Sequence, residues 1–185
     1  MLRIFSLAIC LLTLQSCQTS KLVASPKQMQ LQKQFAETTA FKVKSNRAEP
    51  MTSTGMNALS NSGLRQRGSA IGSFDISLNS NHLTMNGTKV DVFLPFFGER
   101  QMGVGYNDDS GINYKGDIEN LTVKFNEKRK QYSISFSMKN STESFDVILE
   151  LFQNLYTRIK IICSHRSNIS YDGYAEALTE SIEED

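Results

Sequence analysis

The fold is decided by the run Leu121-Thr122-Val123-Lys124-Phe125, followed by Asn126-Glu127-Lys128-Arg129-Lys130-Gln131 and then Tyr132-Ser133-Ile134-Ser135-Phe136-Ser137-Met138. The first and last runs alternate apolar and polar residues strictly, which is the period of a β-strand with one buried face. The charged residues between them are typical of a hairpin loop. The stretch therefore predicts two antiparallel strands, each with one buried and one solvated face.

The same alternation recurs along most of the chain. Asn86-Gly87 is a strong signal for a two-residue hairpin turn between two such runs, and Gln153-Asn154 predicts another turn. Residues 46–69 are predicted to be irregular. The remaining predicted strands are Phe41–Val43, Phe74–Leu78 (with Phe, Ile and Leu on one face), Leu83–Met85, Lys89–Leu94, Phe145–Leu151, Tyr156–Ile162 and Asn168–Tyr174. Eight to ten short strands predict a mainly β fold, a single antiparallel β-barrel or strongly curved, lipocalin-like sheet.

One helix is predicted before the strands. Ser25-Pro26 is typical of an N-cap followed by the first helical residue, and residues 27–38 are good helix formers. Leu31 and Phe35 lie four residues apart and so share a face. We expect this helix to pack on the domain and to cover an open end or an edge of the sheet, with membrane contact as the alternative.

The N-terminus predicts an export signal and a lipid anchor. Residues 1–16 combine Arg3 with the apolar run Ile4–Leu14, which is too short to cross a bilayer. Leu14-Gln15-Ser16-Cys17 matches a bacterial lipobox, which predicts lipidation of Cys17; an ordinary signal peptide is the alternative. The predicted parts are then a signal peptide (1–16), a lipidated cysteine and tether (17–25), a β-rich domain (26–175) and an acidic tail (176–185). Because no Asp follows Cys17, we expect an outer-membrane protein that faces the periplasm.

Composition excludes several classes of protein. The 20 basic and 19 acidic residues give a net charge of +1, which argues against a nucleic-acid partner. Three cysteines and two histidines are too few for a disulfide scaffold or a His-rich metal site. Asn107, Asp108 and Asp109 offer oxygens, but EF-hand spacing is absent and these residues also form ordinary turns. We therefore expect no metal and no cofactor.

No catalytic motif surrounds the candidate acid–base and nucleophilic residues. His82 and His165 fall in predicted exposed turns, without the spacing of any common hydrolase motif. Cys163 follows Ile161-Ile162 at a strand end, which favours a buried, unreactive thiol. The sequence therefore predicts that the protein is not an enzyme.

The most unusual local feature is the aromatic block that ends in Leu94-Pro95-Phe96-Phe97-Gly98. Phe93, Phe96 and Phe97, together with Tyr106, are candidate ligand-binding residues at the mouth of the barrel. The alternative is that these aromatic rings plug the end of the core. The basic residues are predicted to be solvated, with binding of an envelope polyanion as the alternative; these are Arg65, Arg67, Lys128, Arg129, Lys130, Arg158 and Lys160.

Three blocks carry a resemblance to a known family. They are Val90–Arg100 with its Leu-Pro-Phe-Phe-Gly core, Ser110-Gly111-Ile112-Asn113-Tyr114, and Ile169-Ser170-Tyr171-Asp172-Gly173-Tyr174. In this order, and with the predicted lipobox and helix, they resemble a Bacteroidetes lipoprotein family whose shared domain has no known function. The resemblance covers about residues 26–175. It implies a small, mostly β, secreted lipoprotein and no activity.

Taken together, these features predict a lipid-anchored envelope protein without catalytic activity. The leading hypothesis is binding of a small apolar or amphiphilic ligand inside the barrel. The alternative is a structural or assembly role, in which a sheet edge or the barrel rim docks another envelope protein.

Overall fold

A computed structural model describes residues 24–51, 72–99, 111–141 and 143–178. The predicted signal peptide, Cys17, Arg65, Arg67, Tyr106, Asn107, Asp108, Asp109 and most of the acidic tail lie outside these residues. Within the described part of the chain, no helix is long and apolar enough to cross a membrane.

The domain is mostly β, and its nearly closed antiparallel sheet confirms the predicted barrel-like fold. One helix, α1 (Pro26–Thr38), precedes the strands. The sheet order is β5-β4-β3-β1-β10-β9-β8-β7-β6, and β2 pairs separately with β1. The strands are β1 (Ala40–Pro50), β2 (Phe74–Asp75), β3 (His82–Asn86), β4 (Lys89–Pro95), β5 (Gly111–Asp117), β6 (Glu119–Asn126), β7 (Gln131–Lys139), β8 (Ser144–Leu151), β9 (Tyr156–Cys163) and β10 (Ile169–Glu176).

The two ends of this strand order are consecutive in the chain. Strand β5 pairs with β4, β6 pairs with β7, and only Ile118 separates β5 from β6. The amide of Ile118 donates a hydrogen bond to the Thr88 carbonyl, and Asn120 has a positive φ of 57° at a register shift. Such a bulge bends a strand, so one bent segment serves both ends of the sheet and nearly closes it.

Helix α1 covers one end of the barrel, as predicted. Ser25 and Gln28 form a capping box, which satisfies two amides at the start of the helix. The Gln32 side chain donates hydrogen bonds to the carbonyls of Lys130 and Leu151, and the Thr39 hydroxyl donates to that of Gly87. The helix thus lies across the β3–β4, β6–β7 and β8–β9 turns. We call this the helix end.

The interior of the barrel is filled by side chains. Most inner positions of the strands other than β6 are 0–3% exposed, and they form one cluster that includes Phe41, Val43, Leu83, Met85, Ile112, Ile134, Phe136, Leu149, Ile159 and Tyr171. Gly173 is required where β10 crosses β1, because a Cβ there would lie 2.7 Å from the Ser45 Cα. Close packing of this kind leaves the interior to the protein's own side chains.

Several local predictions were wrong. Strand β1 continues through residues 46–50, where the sequence predicted irregular structure. The Asp75 carboxylate accepts a hydrogen bond from the Ser77 amide, and the resulting turn ends β2. Ile76 is therefore buried, whereas Leu78 is fully exposed. Strand β5 was not predicted at all. In β6, residues 121–125 are not buried on one face as expected.

Candidate functional site

Phe93 lies on the outer wall of the barrel and not at its mouth. It is 44% exposed and stacks on His82, with ring centroids 6.2 Å apart. His82 begins β3 and is half-buried, so the prediction of an exposed turn was wrong. Its Nε2 lies 3.1 Å from Asp91 Oδ1, and Lys115 Nζ lies 3.5 Å from Asp91 Oδ2. We call these four residues the outer patch.

The outer patch places a histidine beside a carboxylate on the sheet face. It borders a shallow, open depression of about 490 Å³ on the sheet face. A histidine–carboxylate pair needs a nucleophile within hydrogen-bond reach. In the described ranges, none of the hydrogen bonds of His82 goes to a hydroxyl or thiol. Asp91 is therefore the shared partner of the His82 ring and the Lys115 ammonium.

Phe96 and Phe97 lie at the end of the barrel opposite the helix. Phe97 stacks on Phe74 with centroids 4.5 Å apart, and Phe96 lies under the guanidinium of Arg166 at 5.3 Å. Arg166 Nε donates to Glu143 Oε2 at 2.7 Å, and both side chains are buried. The block therefore contributes two rings to the packing of this end, and Phe93 points elsewhere.

The remaining reactive candidates do not assemble into a site. Burial raises the pKa of the Cys163 thiol to about 12, so the thiol stays protonated at neutral pH and is a poor nucleophile. His165 lies half-buried in the bend between β9 and β10. The two histidines thus occupy different parts of the fold.

Strand β6 is unusual because apolar side chains on its inner face are exposed. Its inner residues continue the core face of β7, because Val123 pairs with Ile134 and Phe125 pairs with Tyr132. Ile134 is completely buried, whereas Val123 and Phe125 are 38% and 43% exposed. The rings of Phe125 and Tyr132 contact each other at 4.7 Å. We call Leu121, Val123, Phe125 and Tyr132 the edge strip.

The exposure of the edge strip follows from the topology. Among the described strands, β6 pairs with β7 alone, so no further strand covers its other side. An uncovered edge presents backbone N–H and C=O groups that are ready to pair with another chain. The bulge at Asn120 and the outward Lys124 shield part of this edge, but the inner face of the strip carries no charge.

Positive charge surrounds the strip. Lys124 projects from the outer face of β6, and the turn after it carries Lys128, Arg129 and Lys130. Glu127 and Glu150 lie 3.8 Å from Lys130 and 3.9 Å from Arg129, respectively, in exposed pairs. Exposed pairs at such distances contribute little, so the net local field stays positive.

Comparison with known proteins gives a family. The sequence profile described as "Domain of unknown function (DUF4251)" matches residues 25–175, which is most of the chain. The chain belongs to the DUF4251 family. No curated protein matches it. A crystal structure of a DUF4251 family protein from Bacteroides eggerthii DSM 20697 is similar, with 13% identity and a TM-score of 0.56 over 82% of this chain and 88% of that chain.

DUF4251 membership confirms the part of the resemblance that concerns a shared domain of unknown function, and it adds no chemistry. The likeness to the solved structure shows the fold alone. The edge strip was missed from the sequence because its alternation is identical in kind to that of the covered strands. The one available signal was the short, charged linker Asp117-Ile118-Glu119, which leaves no room for a turn between β5 and β6. The absence of a turn would have predicted one bent strand whose two halves pair with different neighbouring strands.

Proposed function

We propose that this DUF4251 protein is a non-catalytic envelope protein that binds an extended segment of a partner protein along β6. The single observation that carries the proposal is the edge strip: an apolar face, continuous with the core, on a strand that pairs with β7 alone among the described strands. Exposed apolar surface of this kind marks interaction sites in soluble proteins. Addition of a strand would pair the β6 backbone and cover Val123 and Phe125 together.

The surroundings of β6 define the chemistry of the partner segment. On an added strand, alternate side chains would face the edge strip and must be apolar. The intervening side chains would face Lys124 and the neighbouring turn, which favours acidic residues. The segment is therefore an extended run in which apolar residues alternate with Asp or Glu.

A second copy of the chain fits β6 less well. An antiparallel pair of β6 strands would bring the two Lys124 side chains onto the same face of the joint sheet, close to one another. Like charges in neighbouring positions are unfavourable. An acidic segment has no such conflict, and we therefore favour a different protein as the partner.

The packing of the barrel supports one of the two functions expected from the sequence. A ligand inside the barrel needs a cavity of about 300 Å³ or more. The inner positions are instead occupied by large side chains at 0–3% exposure. Of the expected ligand-binding residues, Phe93 faces outward, and Phe96 and Phe97 pack at one end. These observations favour docking at the sheet edge.

We also propose that the domain is attached to the outer membrane, facing the periplasm, through a lipid on Cys17. The support is the lipobox sequence and a fold whose first helix begins at Ser25, a few residues later. Mass spectrometry of the N-terminal peptide from the native protein tests this. We expect a diacylglyceryl adduct on Cys17, and an unmodified thiol at this position would contradict the anchor.

A peptide titration tests the docking site. The probe is a blocked peptide of eight residues with alternating Val and Glu, which matches the length of β6. We expect amide chemical-shift changes in the NMR spectrum confined to residues 119–126 and their β7 partners. A Val–Lys peptide of the same length should bind more weakly, because Lys124 repels it.

Two phenylalanines provide matched variants for this titration. Phe125 and Phe93 are 43% and 44% exposed, but only Phe125 belongs to the edge strip. Phe125→Ala should weaken peptide binding by about fivefold or more, as expected for loss of an aromatic contact. Phe93→Ala should leave it unchanged. Equal effects of the two variants, or shifts at the outer patch, would contradict the proposal.

A further inference from the structure

The geometry points to the helix end of the barrel as a surface that lies on an anionic membrane. We infer that the cations of residues 124–130, which we call the basic hairpin, bind the phosphate headgroups of anionic lipids. The basic hairpin holds Lys124, Lys128, Arg129 and Lys130 against one acid, Glu127. This contact shares Lys124 and the turn after it with the proposed partner site, whereas the apolar side of β6 belongs to the partner site alone.

The basic hairpin lies at the same end of the barrel as Ser25, the N-cap residue of α1. Gln32 of α1 donates a hydrogen bond of 3.1 Å to the carbonyl of Lys130. Seven residues of helix separate Ser25 from Gln32, which is about 10 Å along the axis. The point at which the chain enters the fold therefore lies close to the hairpin cations.

The charges of the basic hairpin are available to a ligand. Every residue from 122 to 130 is exposed, and the side chains of Arg129 and Lys130 are 68% and 57% exposed. Within the described ranges, no carboxylate lies in ion-pair distance of Lys124 or Lys128. A shallow depression of about 530 Å³ is lined by Lys124, Lys128 and Arg129 together with Glu127 and Glu150.

The opposite end of the barrel differs in this respect. Its central cation, Arg166, is 8% exposed and is neutralised by Glu143 at 2.7 Å. The guanidinium is also packed between the rings of Phe96 and Phe145, at 5.3 and 6.0 Å. The positive charge of Arg166 is therefore neutralised inside the fold and does not face a membrane.

The proposed anchor would hold the basic hairpin against the bilayer. Residues 18–24 between Cys17 and Ser25 span at most about 28 Å when extended. Only the orientation in the cell rests on that anchor. The attraction to anionic lipid rests on the hairpin alone, because each Lys or Arg near an anionic surface strengthens binding by about fivefold.

A vesicle assay without the lipid anchor tests the inference. The protein is the chain from residue 18 onward, which contains every described helix and strand. We expect it to sediment with vesicles of phosphatidylethanolamine containing one quarter phosphatidylglycerol, and not with phosphatidylcholine vesicles. Higher sodium chloride should weaken the binding, because salt screens exposed charges.

Matched triple variants locate the contact. Lys124→Gln, Lys128→Gln and Arg129→Gln together should lower the vesicle partition coefficient by about 100-fold, about fivefold for each cation. Lys44→Gln, Lys139→Gln and Lys160→Gln remove the same charge from exposed positions on the wall and at the opposite end. This control should change partitioning by less than about fivefold.

Three results would overturn the inference. One is equal loss in both triple variants, which would mean that only net charge matters. Another is no binding to the anionic vesicles at low salt. The third is displacement by inorganic phosphate well beyond that by sodium chloride of equal ionic strength, which would indicate a discrete phosphate site. Binding of the Val–Glu peptide is measured separately, so failure here leaves the docking proposal intact.

Discussion

Strands β5 and β6 are two halves of one bent segment, but the side chains on their inner faces differ in burial. The inner residue Ile112 of β5 is completely buried, whereas Val123 and Phe125 of β6 are about two-fifths exposed. Both halves alternate apolar and polar residues and both pair with a neighbour on one side. The difference lies in what covers their inner faces. Alternation thus marks the apolar face of a strand without showing whether the fold covers it.

The covered half is also held by a specific contact. Arg166 Nη1 donates a hydrogen bond of 2.9 Å to the carbonyl of Gly111, the first residue of β5. The same guanidinium binds the buried carboxylate of Glu143. Among the contacts described for β6, none resembles this one. The comparison therefore predicts that β5 is rigid and that β6 is the half free to accept a partner.

The largest expected effect comes from removing the contact that holds β5. Arg166→Met leaves the Glu143 charge buried without its cation and should lower the free energy of unfolding by about 3–5 kcal/mol. Arg129→Met, which breaks only an exposed 3.9 Å pair with Glu150, should cost less than about 1 kcal/mol. Urea denaturation measures both. Similar losses in the two variants would show that the two halves are held alike.

A direct test compares inner residues of the two halves. Ile112→Ala opens a cavity in the core and should cost about 2–5 kcal/mol. Val123→Ala removes a side chain that is already partly solvated and should cost less than about 1 kcal/mol. The same denaturation experiment applies. If Val123→Ala were as costly as Ile112→Ala, β6 would be covered in solution and the edge strip would not be a surface.

The smallest effect is the response to acid. Burial raises the pKa of Asp172, but hydrogen bonds from Arg158, at 2.8 Å, and from its other neighbours outweigh this effect, and the pKa lies below its usual value. A folded pKa below the unfolded value of about 3.9 stabilises the protein above that pH. This contribution is lost as the pH falls through the folded pKa. Each tenfold difference in acid constant corresponds to about 1.4 kcal/mol.

Unfolding measured between neutral pH and pH 2 should therefore show a steeper loss below about pH 4 in the natural protein than in Asp172→Asn. None of the contacts described for Asp172 reaches Ile112 or Val123. The difference between the Ile112→Ala and Val123→Ala variants should stay constant across this range to within about 0.5 kcal/mol. A difference that shrinks in acid would mean that the outer ion pairs help to cover β5.

Much of the fold could be predicted from residues that act locally. The capping box at Ser25, the Asn86-Gly87 turn and the alternation of β7 to β10 each depend on a few neighbouring residues. Strand β5 was missed because its alternation is short and is bounded by Gly111 and Gly116, and pairing with β4 supplies the support that so short a pattern lacks. The end of β2 was misjudged because a side chain of the strand itself, Asp75, forms the turn.

The candidate site could not be predicted because it depends on distant parts of the chain. Phe93, Phe96 and Phe97 are adjacent in sequence, but the end of β4 sends the first outward and the others to the end of the core. Phe125 is exposed because no described strand other than β7 pairs with β6. The burial of these side chains is set only when distant strands come together in the sheet. The residues adjacent in sequence are the same whether a side chain ends up covered or exposed.

The single-residue link at Ile118 also has a mechanical consequence. A partner bound along β6, as proposed, would pull on a strand that continues without a turn into β5. Tension applied there passes through the covalent chain to the β4 pairing and the Arg166–Glu143 pair at the far end of the barrel. The β6–β7 ladder shares the same load from the other side. The segment from β5 through Ile118 to β6 would thus distribute an external force between the β4–β5 and β6–β7 pairings.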